Sequence, residues 1–442
     1  SIDLEGDLYV EDADDRIIVA NAHDVTLNGI SADTSSGAIQ LGQAARLTHI
    51  KDNLGAGGSG DLGITATLDD SELLTFFGVE DNSALTITVK GTSSSGSAVI
   101  TDELSGPNNG TVSTNRFFDT VTSIEITGGS TSGLLDIGVG RPISGDVTQA
   151  GSDDIRAHQL IGDVDGQVTL DNSGNDIYEI GDFRADGGFS LANNALALDV
   201  VGALTADSGD IYLGTTGSGD TLTVTSTGSV RANTVNNDNI AGSGGVTLRT
   251  KGVATLDIEG PVTAGTGGVV GVSADDISLN SAGLLETTGG VELRATNTAS
   301  GAAGIGLAGD ITAGGDGLAL HSGSSINQSD GIINTTGSVF GVDSDGNTEQ
   351  GSGSGNYGAR GDVELDQDNQ IAGLGPFYLL GDSNTQDLIV NDTAGGLTLT
   401  GDLTNTHGLI TVSTAGGALD LGTRSVSAGE LSPDGANIKL TG

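Results

Sequence analysis

Residues 256–272 read LDIEGPVTAGTGGVVGV, and the order of apolar, polar and glycine positions in this stretch decides the architecture. Leu256 and Ile258 alternate with acidic residues, Gly260 interrupts, Val262 and Thr263 resume, and Val269 opens a new run after Gly267-Gly268. A period of two is the signature of a strand with one buried face. The same phrase returns as Ile305, Leu307, Gly309, Ile311, Thr312 and as Leu397, Leu399, Gly401, Leu403, Thr404, and nearly so as Leu198, Val200, Gly202, Leu204, Thr205. Seven residues after the last apolar position of each copy comes another strand-like stretch, headed by Ile211, Val269, Leu318 and Ile410. Variants with a longer turn lie between the copies, as in Leu222, Val224, Gly228, Val230 and Ile277, Leu279, Gly283, Leu285.

Outward from this phrase the chain is a repeat. The glycine pairs Gly244-Gly245, Gly267-Gly268 and Gly289-Gly290 precede strands at intervals of 23 and 22 residues. A unit of about 22 residues with three short strands makes one coil of a parallel β-helix or solenoid, with glycine where a Cβ would clash at the corner. The aliphatic side chains of one coil bury too little to offset the ordering of its backbone, so coils must stack to fold. The expected fold class is therefore all-β: a parallel β-helix of roughly 22-residue coils carrying an inserted antiparallel β-sandwich. Residues 1–50 are the first solenoid strands, 51–145 the inserted module and 146–442 the shaft.

The module is marked by a change of composition. Phe76, Phe77, Phe117 and Phe118 are four of the eight phenylalanines, enough for an aromatic centre that the coil is expected to lack. Ala84 to Lys90 alternates, Gly91 to Gly96 reads as a turn, and Val99 to Leu104 returns as a hairpin partner. Further strands are expected at Thr111 to Thr114, Val121 to Ile126 and Leu134 to Val139. Gly55 to Gly60 and Arg141-Pro142 read as hinges.

Composition narrows the function. The 442 residues include 75 Gly, 5 Pro and no Cys, Met or Trp, with 15 basic against 59 acidic side chains and a net charge of −44. Nucleic acid is not an expected partner, because phosphate recognition needs clustered cations. No apolar run approaches a membrane helix, so membrane insertion is not expected either. The absence of Cys removes disulfides and thiolate chemistry. The absence of Met leads us to expect a processed product or a piece of a longer chain. Both ends, Ile2, Leu4, Gly6, Leu8 and Ile438, Leu440, Gly442, fall inside the repeated motif, and neither reads as a cap. Partners are accordingly copies of the chain, or adjoining segments of the same long chain, stacked head to tail.

Candidate chemistry is sparse. His23, His49, His158, His321 and His407 lack zinc-ligand spacing. Asp343, Asp345, Asn347 and Glu349 alternate in a Gly-rich loop and are the candidate calcium ligands, although Gly346 stands at the fourth rather than the sixth position of an EF-hand loop. Gly174, Asn175, Asp176 and Tyr178 have the form of one calcium-binding nonapeptide, present once. Asp366 with Asp368, and Asp12 with Asp14 and Asp15, read as exposed turns. Asp275, Asp276 and Glu286 are possible carboxylates for glycoside cleavage, yet the repeat region has almost no aromatic platform for a sugar ring. The expectation is a protein without catalytic activity.

The run LTITVKGTSSSGSAV, SGPNNGTVSTNRFFDTVTSIEI and LLDIGVG, Leu85 to Gly140, resembles a β-sandwich module of tailed-phage virion proteins, and with its flanks the likeness spans about 51–145. From about 187 to 442 the chain resembles the repeat region of filamentous haemagglutinin-type secreted adhesins, as in GGVELRATNTASGAAGIGLAGDITAGG. The second resemblance implies an extracellular β-helical shaft used in surface attachment or matrix building, with surface or matrix polysaccharide as a partner. It departs in lacking the N-terminal secretion domain of such proteins. The first implies a virion fibre or decoration protein instead. A polysaccharide-degrading β-helix enzyme is the third reading.

Overall fold

In the computed structural model the residues described are all but 1, 5–7, 10–15, 20–23, 28–29, 32–36, 43–48, 55–58, 94–95, 115–117, 132–134, 141–142, 144, 151–153, 218, 233–242, 252–253, 297–303, 343–357, 380–385, 430–437 and 442. Every regular element among them is a β-strand. The strands form one 38-stranded parallel assembly and one 8-stranded antiparallel assembly, which is the solenoid-plus-sandwich architecture expected from the repeats.

Three facets of parallel strands run along the solenoid. On the first, Val246, Val269, Val291, Leu318 and Val339 lie in register on successive coils. On the second, Leu222, Leu256, Ile277, Ile305 and Ile326 follow one another. On the third, Leu204, Val230, Val262, Leu285, Ile311 and Ile333 do the same. Like side chains thus stack on like, and the inward members are buried in one continuous core from Ile17 to Val412. Each such aliphatic side chain contributes about 1.5–3 kcal/mol by leaving water.

The coil is not three-sided throughout. From Ser322 a fourth facet begins, on which Ala359, Leu379, Asn405 and Ala428 carry the register. The third facet contracts at the same level, to the Asn334-Thr335 pairing with Gln370-Ile371 and then Asn369 with Asp392. As a result the Leu397 to Thr404 copy of the motif sits on the first and fourth facets, whereas Leu256 to Thr263 sits on the second and third. The phrase encodes two strands and the corner between them, not a fixed place around the coil.

The corner glycines are explained by the neighbouring coil. A Cβ on Gly260 would run into the carbonyl oxygens of Thr225 and Gly228, and one on Gly309 into that of Gly283. Only Gly allows the two backbones this close. Gly268 has a further need, since its φ is +79°.

The solenoid is interrupted in sequence but not in space. Val25–Leu27 pairs in parallel with Val147–Gln149, and Ile39 with Leu160, so coils from either side of the module stack directly. The intervening strands, from His49–Leu54 to Leu135–Gly140, are antiparallel. Thr86–Ser93 pairs with Gly96–Ser105 and with Phe118–Thr127, while Ala66–Asp81 pairs with Asn108–Ser113 and Leu135–Gly140. Leu74, Phe76, Leu135 and Ile137 on one side and Ile87, Val89, Phe118, Ile124 and Ile126 on the other close a second, separate core.

Three details differ from expectation. The hairpin strands continue through Gly91 to Ser93 and resume at Gly96, so the expected Gly91 to Gly96 turn contracts to about its middle. Gly60 is not a hinge residue; it pairs with Ile126 as part of a short strand. Aromatic residues are not confined to the module, because Phe183, Phe189 and Phe377 are fully buried in the shaft and the first two meet edge to face at 5.0 Å. Phe76 and Phe118 are buried as expected, whereas Phe117 and the side chain of Phe77 lie outside the described residues.

The corner geometry yields a paired test. Gly260→Ala should destabilise the coil by about 1–3 kcal/mol through overpacking, whereas Gly306→Ala, whose nearest neighbour atom is 4.0 Å from the added carbon, should leave the urea midpoint unchanged.

Candidate functional site

The strongest polar pattern in the shaft is a set of aspartates at coil corners. Asp146 accepts a hydrogen bond from the Gln167 N–H at 2.8 Å, Asp182 from Ala203 at 3.0 Å and Asp210 from Gly245 at 2.8 Å. Asp276 accepts from Gly304 at 2.7 Å, Asp310 from Ile332 at 2.8 Å and Asp402 from Ser425 at 2.9 Å. Asp362, Asp387 and Leu409 form a relay, in which the Asp387 N–H donates to the Asp362 carboxylate at 2.9 Å and the Leu409 N–H to the Asp387 carboxylate at 3.1 Å. At a corner the strand ladder is broken and a backbone N–H loses its regular acceptor. A short acidic side chain from the adjacent coil replaces it and joins the coils along the axis. The signal in the sequence is the dipeptide Gly-Asp before an apolar residue, as at 145–146, 181–182, 209–210, 309–310, 361–362 and 401–402, which the alternation of apolar and glycine positions does not single out.

Inside the corners, amides and hydroxyls perform the same service. Gln328 and Asn369 exchange two hydrogen bonds of 2.8 Å, and Asp392 accepts from the Ile371 N–H at 2.9 Å and the Thr414 hydroxyl at 2.8 Å. Asn175, fully buried, accepts from the Ile155 N–H at 2.8 Å and donates to the carbonyls of Leu170 and Ala192 at 3.1 Å. This bonding makes Asn175 a corner peg, so the Gly174 to Tyr178 stretch has a packing role that calcium spacing did not reveal.

The other candidates are dispersed. Asp276 is a corner brace, and Glu286 lies in register between Thr263 and Thr312 on the third facet. His158 stacks on Tyr178 with ring centres 6.3 Å apart, and its Nε2 is 3.5 Å from Glu179. His321 is buried with Nδ1 2.9 Å from the Val342 carbonyl oxygen, and the backbone N–H of His407 donates to Asn405. Asp366 and Asp368 are exposed, but inside the strand Val363–Leu374 rather than in a turn. Asp343, Asp345, Asn347 and Glu349 lie outside the described residues, as do Asp12, Asp14, Asp15 and His23. Among the described residues no group of three or more His, Asp or Glu side chains is placed to hold a metal ion, and no helix is long and apolar enough to cross a membrane.

One charged cluster does converge. The Arg184 guanidinium donates to Asp163 at 3.0 Å, Asp165 at 3.1 Å and Asp207 at 2.8 Å, with Asp186 at 3.9 Å. Burial alone would lower the Arg184 pKa, but the charges of Asp163 and Asp207 outweigh it and hold the group protonated. Burial raises the pKa of Asp163, with Arg184 opposing. A separate carboxylate, Asp220, is 2% exposed, and its Oδ2 has no hydrogen-bond partner. Desolvation raises its pKa, the Gly217 N–H counteracts, and the charge of Asp176 adds to the rise.

No protein-family model matches the chain, and the search of curated proteins found no match either.

Two outcomes follow from these carboxylates. Asp276→Ala should weaken the corner by about 0.5–1.5 kcal/mol, read as faster hydrogen exchange at the Gly304 N–H, and Asp276→Asn, whose amide oxygen accepts the same bond, should retain most of the protection. Because the folded state raises the Asp220 pKa, ionised Asp220 opposes folding above that pKa and the penalty disappears as pH falls through it. Asp220→Asn should therefore melt higher than the parent at pH 7, with the gap closing on acidification.

Proposed function

We propose that the chain is a shaft segment of an extracellular structural or adhesive fibre, without catalytic activity, which carries the sandwich module along its length. The observation that supports this reading is the unbroken apolar column through the stacked coils. At its far end Leu419, Val426, Ala428 and Leu440 pack on the column while only partly covered, and Ile438 remains 37% exposed. A further coil on that face would complete their burial, whether it comes from a second copy stacked head to tail or from adjoining coils of the same chain. A contact that joins two different faces does not close on itself and propagates as a filament.

Surface attachment or matrix building suits such a shaft, with cell-surface or matrix polysaccharide as the partner. The net charge of −44 keeps neighbouring fibres apart in low salt and lets divalent cations bridge them. Calcium held by Asp343, Asp345, Asn347 and Glu349 belongs to this proposal; calorimetry should show a heat of Ca²⁺ binding that is lost in a variant with all four replaced by Ala, and the absence of any heat would remove calcium from it.

The sandwich favours a second reading, a virion fibre or decoration protein. Negative-stain images with the mass of the native polypeptide separate the two: filaments one chain wide support the secreted shaft, a trimer with a receptor-binding tip supports the virion protein, and a discrete monomer that never stacks defeats the fibre reading. Loss of polysaccharide viscosity on incubation with the purified chain would establish the enzymatic reading instead.

A further inference from the structure

The inserted module leaves the solenoid after Gly42 and re-enters it at Ile143, and both points rest on the same short segment, Asp163 to Asp165. Gly42 has φ +77°, and a Cβ there would collide with the Asp163 carbonyl oxygen and approach the Ile143 nitrogen. The Ile143 N–H donates to the Asp163 carbonyl at 3.1 Å, and the Asp165 N–H donates to the Ile143 carbonyl at 2.7 Å. Ile143 makes a parallel bridge to Val164. The exit and the return therefore lie side by side on one stretch of backbone.

The side chains of that stretch are the ones Arg184 gathers. Asp163 and Asp165 belong to the coil that receives the module, Arg184 and Asp186 to the next, and Asp207 to the one beyond. Arg184 alone, with its planar fork of donors, spans the three coils. An insertion is where a solenoid is weakest, because the chain must leave the ladder and two coils remote in sequence must pair without a direct connection. We propose that the Asp163, Asp165, Arg184 and Asp207 cluster is a clasp that shuts the coil beneath the module and fixes the module's mounting on the shaft.

Such a clasp makes the mounting a distinct local unit of stability, which separates it from the corner braces that repeat along the whole shaft. The inference is independent of whether the chain forms a fibre, since it concerns a single copy. Its test uses the full chain. In Arg184→Met, hydrogen exchange at the Ile143 and Asp165 N–H groups should accelerate at least tenfold while the Leu409 N–H, far along the shaft, keeps its protection. Arg184→Lys, a point charge that cannot fork, should fall between. Because the chain has no cysteine, spin labels at Thr122→Cys in the module and Thr223→Cys in the shaft report the mounting directly, and the distance distribution should broaden in Arg184→Met. Equal acceleration at Leu409, or unchanged exchange at Asp165 with an unchanged distribution, would overturn the clasp. Should Arg184→Met fail to fold, Asp207→Asn removes only the far contact and should give a smaller increase confined to the same two groups; no increase there would be equally fatal.

Discussion

The structure depends on the stacking of parallel coils at strand separation. Each coil hands its backbone groups to the next and lays its aliphatic side chains on the matching side chains of the coil before, as Val246, Val269 and Val291 do. One coil cannot bury enough apolar surface to fold alone, and each coil's edge is a template for another. From this constraint come the aliphatic ladders of the interior, the glycines where backbones touch, and the need to satisfy every corner N–H that the ladder omits.

The corners also change the meaning of the acidity. Read from composition, 59 acidic residues suggested a surface charged for solubility or cation bridging. In the fold a recurring subset of these carboxylates sits at fixed corner positions, where an aspartate accepts the backbone N–H of the adjacent coil. Asp suits this place because its side chain is short and purely an acceptor when ionised. At these corners the negative charge is a by-product of satisfying a backbone N–H, a task that amides perform at others.

The fold class, the coil length and the module were legible because each depends on periodicity, which is local. Gly-Gly pairs marked the approach to strands, and the clustered phenylalanines marked a core of another kind. What periodicity does not carry is the place of a strand around the coil. The Leu397 to Thr404 copy is indistinguishable in pattern from Leu256 to Thr263, yet the fourth facet that starts at Ser322 shifts it to a different side. The candidate site was less legible still. The pair Asp163 and Asp165, then Arg184, then Asp207 lie about one coil apart along the chain, so their convergence follows from coil register, which sequence alone fixes only once every insertion is placed.

The position of the module follows from the same physics. A solenoid tolerates an excursion only where the coil can be closed behind it, and closure requires that the strands on either side pair as if nothing lay between them. Val25 with Val147 and Ile39 with Leu160 meet that condition. What the pairing lacks is a covalent reason to persist, since the two coils are joined only through the length of the module. A half-buried guanidinium with carboxylates on three consecutive coils supplies a non-covalent one, and its location at the graft, where a charge-assisted fork replaces the neutral amide and lone carboxylate bonds of corners such as Asn175 and Asp276, is what a mounting point demands.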